Sequence, residues 1–152
     1  MKRSPQDIRL EEILRSSKLV AGGFMGTDQR TPEEVIGADQ AVLEQRGYTT
    51  QQIAEKMTQL HDLAKPQLGN SVIVENRFEV HYDDYKGSQP CPWPHPGRFD
   101  KGITICKRLD NQQMFMWSNL EIHLIEQHGF FQGKGSTYRL EPAELAAFLF
   151  EF

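Results

Sequence analysis

Residues 118–139 read S-N-L-E-I-H-L-I-E-Q-H-G-F-F-Q-G-K-G-S-T-Y-R. The stretch writes a short helix with both of its ends. Ser118 can accept a backbone N–H, and Glu121 stands where its carboxylate can return the bond to Ser118, the reciprocal pattern of a capping box. Trp117 and Ile122 are spaced for a hydrophobic staple across that turn. Gly129 follows the last turn as a left-handed terminator. Beyond it lies a loop rich in glycine and aromatics, G-F-F-Q-G-K-G-S, and then T-Y-R-L, which reads as a short strand.

The chain before this helix falls into two halves of different character. Ser4-Pro5-Gln6-Asp7 is a helix start, with Ile8, Leu10, Ile13 and Leu14 at helical spacing. Residues 18–30 carry three glycines and should be irregular. Thr31-Pro32-Glu33-Glu34 opens a second helix that ends at Gly47. Thr49-Thr50-Gln51-Gln52 opens a third, whose stripe is Ile53, Met57, Leu60 and Ala64, stopped by Pro66. Their short connection predicts an antiparallel pair. From Asn70 the sequence turns β-branched and aromatic: V-I-V-E-N-R-F-E-V-H-Y, with a turn or bulge at Asn76. Residues 83–99 read as a loop, because Pro90, Pro92, Pro94 and Pro96 alternate and enforce an extended path without ladder donors. Gly102–Lys107 and Met114–Trp117 read as a hairpin across L-D-N-Q. Glu141-Pro142 opens a last helix with Leu145, Phe148, Leu149 and Phe152 as its apolar face.

The expected fold is therefore α+β: N-terminal helices packed on a small antiparallel β-sheet, followed by β-α-β-α. One domain over residues 1–152 is expected, with 1–68 a helical layer and 69–152 the sheet plus two helices. At 152 residues the chain can bury a core without metal or disulfide. Two cysteines are too few for a disulfide framework and point to a reduced, cytoplasmic protein. M-K-R-S-P-Q-D has no following apolar run, so no leader is expected, and no apolar run is long enough for a membrane. The formal charge of −4, with neither half basic, argues against a nucleic-acid backbone binder. The segment from Gly47 has a helix-turn-helix flavour, but its helices are mainly acidic, and a structural pair is the better account.

Three constellations carry candidate chemistry. The loop after Gly129 invites comparison with a phosphate-binding G-x-x-x-x-G-K-[ST]. The spacing is one residue short, Gly135 separates Lys134 from Ser136, and the loop leaves a helix rather than entering one. A weaker form survives, in which Gly133, Lys134, Gly135 and Ser136 make a nest of N–H groups for an anionic small molecule or partner, with Arg139 adding charge and His128 at its base. The structural alternative is a helix-terminating loop plugged by Phe130 and Phe131.

The second constellation is metal-ligating. Cys91 and His95 lie in the proline ladder, and His81 precedes them. Adding His123 or His128 gives a zinc-like set, yet no paired C-x-x-C is present. At about 100° per residue, His123 and His128 lie roughly 140° apart round the helix, which argues against one shared ion. A loop with a buried thiol and a surface imidazole is the structural alternative. The third is Cys91 as a nucleophile, which needs a base such as His128 brought close by the fold.

Three segments carry a likeness: F-M-G-T-D-x-R-T-P-E-E from Phe24, G-Y-T-T-Q-Q-I-A from Gly47, and H-G-F-F-Q-G-K-G-S-T-Y-R-L-E-P from His128. Together they resemble a family of small bacterial cytosolic proteins with no established activity. That resemblance implies a soluble bacterial protein and supplies no catalytic residue. The function classes left are a binding or regulatory module at residues 129–139, a metal-dependent hydrolase built on the His/Cys cluster, and a homo-oligomeric structural protein showing an aromatic patch at Trp93 or Phe130.

Overall fold

A computed structural model describes residues 3–152; the leader reading therefore rests partly on Met1 and Lys2, outside the described residues. Three helices come first: α1 (Pro5–Arg15), α2 (Pro32–Gln45) and α3 (Thr50–Ala64). A meander of four antiparallel strands follows: β1 (Val72–Val74), β2 (Phe78–Pro90), β3 (Arg98–Arg108) and β4 (Met114–Ser118), in sheet order 1-2-3-4. Helices α4 (Asn119–His128) and α5 (Pro142–Phe150) close the chain. The architecture is α+β.

The caps read from sequence are in place. Ser4, Thr31, Thr49 and Ser118 each accept from the backbone N–H three residues on, and each N3 side chain returns the bond. In α3 that returning residue is Gln52, so either Glu or Gln serves. Gly129 ends α4 in the left-handed region at φ 62°.

Two apolar clusters form the interior. In the larger, Ile53, Met57, Leu60 and Ala64 of α3 pack on Phe78, Val80, Cys106 and Trp117 of the sheet and on Leu145, Phe148 and Leu149 of α5. In the smaller, Leu14, Phe24, Met25, Val35, Cys91 and Phe130 gather round one side of α4. Helix α4 serves both, with Ile125 in the first and Leu120 and Leu124 in the second. The two phenylalanines of the loop divide in the same way, Phe131 into the larger cluster and Phe130 into the smaller.

Two elements differ from the sequence expectation. The stretch 83–90 is not loop but the outer half of β2, where Asp83 pairs with Ile103, Asp84 with Gly102, and after an irregularity Ser88 with Asp100 and Pro90 with Arg98. This ribbon projects beyond the core. Its side chains need no apolar alternation, so the pairing rests on backbone bonds that periodicity does not report. Only 91–97 remains a loop, and it bends at Pro94, where His95 N–H donates to Trp93 C=O at 2.9 Å. The expected strand at 137–140 is absent, so α4 and α5 are joined by loop alone. Its backbone has no neighbouring strand to pair with and closes local turns instead, Arg139 N–H donating to Ser136 C=O at 3.3 Å.

That segment is tied down by charge. Arg139 forks onto Asp39 of α2 at 2.8 and 2.9 Å, with both side chains about 95% buried (6% and 5% exposed), and also bonds Glu141 at 2.8 Å. A second buried arginine, Arg108, pairs with Asp110 and donates to the Ala147 carbonyl at 3.1 Å, satisfying the open C-terminal turn of α5. Replacing Arg139 by Met leaves Asp39 buried without its cation. Urea denaturation is expected to show a loss of about 3–5 kcal/mol; a loss near that of a surface ion pair would refute the assignment.

Candidate metal centre

Two of the candidate ligands come from the turn between β2 and β3, and two from α4. The projecting ribbon returns at 91–97, which brings Cys91 and His95 over the C-terminal half of α4. There Cys91 Sγ lies 3.5 Å from His128 Nε2, His95 Nε2 lies 3.3 Å from His128 Nε2, and His123 Nε2 lies 3.2 Å from His95 Nε2. All four donor atoms fall within 4.8 Å of one another, an arrangement that could hold a metal ion. His81 is not among them; it stands on β2, with its Nε2 3.8 Å from Asp83.

The wheel argument against His123 and His128 sharing an ion is thus corrected. It compared directions at the helix axis. An imidazole reaches well past the helix surface, and the two rings lean toward each other over the intervening turn until their centroids are 5.2 Å apart. A loop arriving from outside then fills the gap between them with the ring of His95. No helical rule could register that third ring.

The surroundings orient the donors. Trp93 stacks on His128 at 4.1 Å and 9°, and Phe99 covers His123 at 4.3 Å. His95 Nδ1 lies 3.0 Å from the Pro96 carbonyl. A carbonyl only accepts, so Nδ1 carries the proton and Nε2 offers its lone pair to the cluster. Burial holds His128 down to about 4, helped by the neighbouring His123 and His95. His123 is lowered by burial and then by His95. Both rings are therefore neutral near pH 7, as ligation requires.

The same shifts bear on a nucleophilic dyad. Cys91 and His128 are close enough for one, but burial raises the Cys91 thiol, against a hydrogen bond from the Trp93 N–H that lowers it. With the thiol raised and the imidazole lowered, the proton stays on sulfur. An activated dyad needs the reverse. A cation would supply the missing stabilisation of the thiolate.

The glycine-aromatic loop has a different neighbour from the one its sequence suggested. Gly133 N–H donates to Phe24 C=O at 2.8 Å, and Thr27 N–H donates to Lys134 C=O at 3.1 Å. A Cβ on Gly133 would collide with the backbone of Met25, so this glycine is set by the close approach of two chains. Lys134 N–H donates to the Asp28 carboxylate at 3.0 Å. Asp28 is 6% exposed and also takes Arg30 at 2.8 and 3.0 Å. The side-chain bond from Arg30 is the main force holding that carboxyl well below the usual carboxylate range, with burial opposing it. An N–H of the anticipated nest is thus met by a carboxylate of the chain itself. The Arg139 guanidinium is engaged by Asp39 and Glu141. The Lys134 side chain is exposed, and Ser136 Oγ donates to Gln132 Oε1 at 2.7 Å. Of the aromatics proposed as an exposed patch, Phe130 is buried and Trp93 half-buried.

No protein-family model, no curated protein and no solved structure matches this chain. The role of each residue therefore rests on geometry. Among the described residues no helix is long and apolar enough to cross a membrane.

Sequence reasoning missed the parts played by Trp93, Phe99, Asp28 and Asp39. Two aromatics bracketing His95 were a usable signal for the first pair. Asp28 had a local signal in the Asp28-x-Arg30 spacing, but its bond to the Lys134 N–H, 106 residues away, and the pairing of Asp39 with Arg139, 100 residues away, had none. Asp28→Asn should cost about 1.5–3 kcal/mol at pH 7, the worth of charge-assisted bonds. Because the folded carboxyl titrates below its unfolded value, this stability is present above about pH 4 and lost as pH falls further. Denaturation at several pH values should show wild type converging on the variant in acid; a constant gap would contradict the role given to Asp28.

Proposed function

We propose that this chain is a zinc-binding protein, with one ion held by Cys91, His95, His123 and His128. One observation carries the reading. Zinc holds nitrogen at about 2.0–2.1 Å and sulfur at about 2.3 Å in a tetrahedron, which sets N···N edges near 3.3 Å and S···N edges near 3.6 Å. Three of the six edges are met, at 3.2, 3.3 and 3.5 Å, and all four donors lie within 4.8 Å of one another, so small side-chain rotations would close the tetrahedron on an ion. Three imidazoles and a thiolate suit zinc better than an oxygen-seeking ion such as magnesium or calcium.

The ion's role is structural. A hydrolytic zinc keeps one position open for water or substrate, whereas here protein atoms supply four vertices. The ligands come in two pairs, one from the hairpin turn and one from α4. The ion therefore fastens the tip of the β2–β3 ribbon to the helix, and zinc binding adds to the folding free energy of that region. Four protein donors favour a closed structural site over the open coordination of a metal-dependent hydrolase.

Protein expressed with supplemented zinc should carry about one ion per chain by elemental analysis, and Cys91→Ala with His128→Ala should carry none. Stripping the ion with a chelator should lower the unfolding temperature and expose residues 91–97 to protease. Absence of stoichiometric zinc after dialysis against the metal would defeat the proposal. Zinc present, with an unchanged cleavage pattern on removal, would defeat the structural role alone.

A further inference from the structure

A cavity of about 310 Å³ lies at the other end of α4 from the histidines, under the edge of the sheet. Its walls include Leu19, Val20, Phe24, Met116 and Leu120. Two polar side chains, each more than nine-tenths buried, line it: Glu121 at 9% exposure and Gln132 at 3%. Its floor at Phe24 and Leu120 is buried and its rim at Leu19, Met116 and Tyr138 is open to solvent, a cleft with an apolar floor and few convergent polar groups, as small-molecule sites have.

Both polar residues have unused capacity. Glu121 Oε1 accepts the Ser118 N–H at 3.1 Å in the capping box, while no cation among the described residues pairs with the carboxylate. Buried carboxylates are ordinarily paired. Without a partner, burial pushes the Glu121 carboxyl up to about 8, against the hydrogen bonds from Ser118. The free chain therefore holds it largely protonated near pH 7, and a cation placed beside it would favour the charged form. Gln132 Oε1 accepts from Ser136 Oγ, which orients the amide and leaves its NH₂ without a partner among the described residues. Gln132 also sits at φ 73°, a left-handed backbone that non-glycine residues seldom adopt. The docking of 133–136 on the 23–28 loop holds it here. Lys101, exposed, and Tyr138 line the cavity as well.

We infer that this cavity is a binding site for a small apolar primary amine carrying a neighbouring carbonyl, the ammonium meeting Glu121 and the carbonyl oxygen accepting from the Gln132 amide. The apolar body fills the space between Phe24, Leu19 and Leu120. The class includes apolar amino acids and their amides. The site stands apart from the zinc reading and does not depend on it.

Calorimetric titration of the full chain with L-phenylalaninamide tests this, with 3-phenylpropanamide as the probe lacking the ammonium and 2-phenylethylamine as the probe lacking the carbonyl. Wild type should bind L-phenylalaninamide at millimolar concentration or below. Loss of a charge-assisted bond should weaken 3-phenylpropanamide by about ten- to hundredfold. Glu121→Gln should weaken L-phenylalaninamide by a similar factor. That variant keeps the capping box, since Gln52 fills the same place in α3, so its folding can be checked by an unchanged helical circular dichroism signal. Gln132→Ala should bring L-phenylalaninamide down to the affinity of 2-phenylethylamine. No saturable binding by wild type, equal binding of the probe without ammonium, or undiminished binding by Glu121→Gln would each overturn the inference.

Discussion

Helix α4 has to bury two faces at once, and much of the molecule follows from that demand. Ile125 belongs to the cluster between α3, the sheet and α5, while Leu120 and Leu124 belong to the one between α1, α2 and the hairpin turn. A ten-residue helix has little room for error under such a constraint. Rotating it to improve one contact would expose the other, at roughly 1.5–3 kcal/mol for each large apolar side chain returned to water. Its start is locked by Ser118 and Glu121 and its end by Gly129. With axis, rotation and both ends determined, every other side chain on it has a prescribed direction.

Those directions place side chains at the two candidate sites. Toward the C-terminus, His123 and His128 fall to either side of the leucine stripe, and the turn of the β2–β3 ribbon lays Cys91 and His95 across them. The aromatic cover of Trp93 and Phe99 then keeps the rings from turning away. Toward the N-terminus, Glu121 must cap the helix and so points into the space beneath the sheet edge. Its carboxyl accepts the Ser118 N–H through one oxygen and lines the cavity.

The connection after α4 is held by means that leave few traces in a linear pattern. Two glycine-bearing loops, 23–28 and 133–136, meet backbone to backbone and exchange hydrogen bonds. Asp28 takes an N–H of one loop, and Asp39 of α2 takes the arginine of the same connection. These are short, charged, largely dry contacts, and they give a segment without regular structure the rigidity of an element. They also hold Gln132 in a backbone conformation that it would not choose by itself.

Caps, apolar stripes and turn residues are local, and they were legible in the order of the residues. Ser118, Glu121 and Gly129 delimit α4 from sequence alone, and Ile53, Met57, Leu60 and Ala64 declare the buried face of α3. The α+β class follows from where helical spacing gives way to β-branched runs at Val72. What sequence could not deliver were contacts between segments far apart along the chain. The polar half of β2 pairs through its backbone, so its side chains kept no record of it. The segment 137–140 has strand-like residues but no partner, and composition cannot report a missing neighbour. The residue types of the candidate metal centre were visible in Cys91, His95, His123 and His128. Their convergence was not, because it depends on a hairpin turn folding back over a helix whose rotation is set by two cores at once.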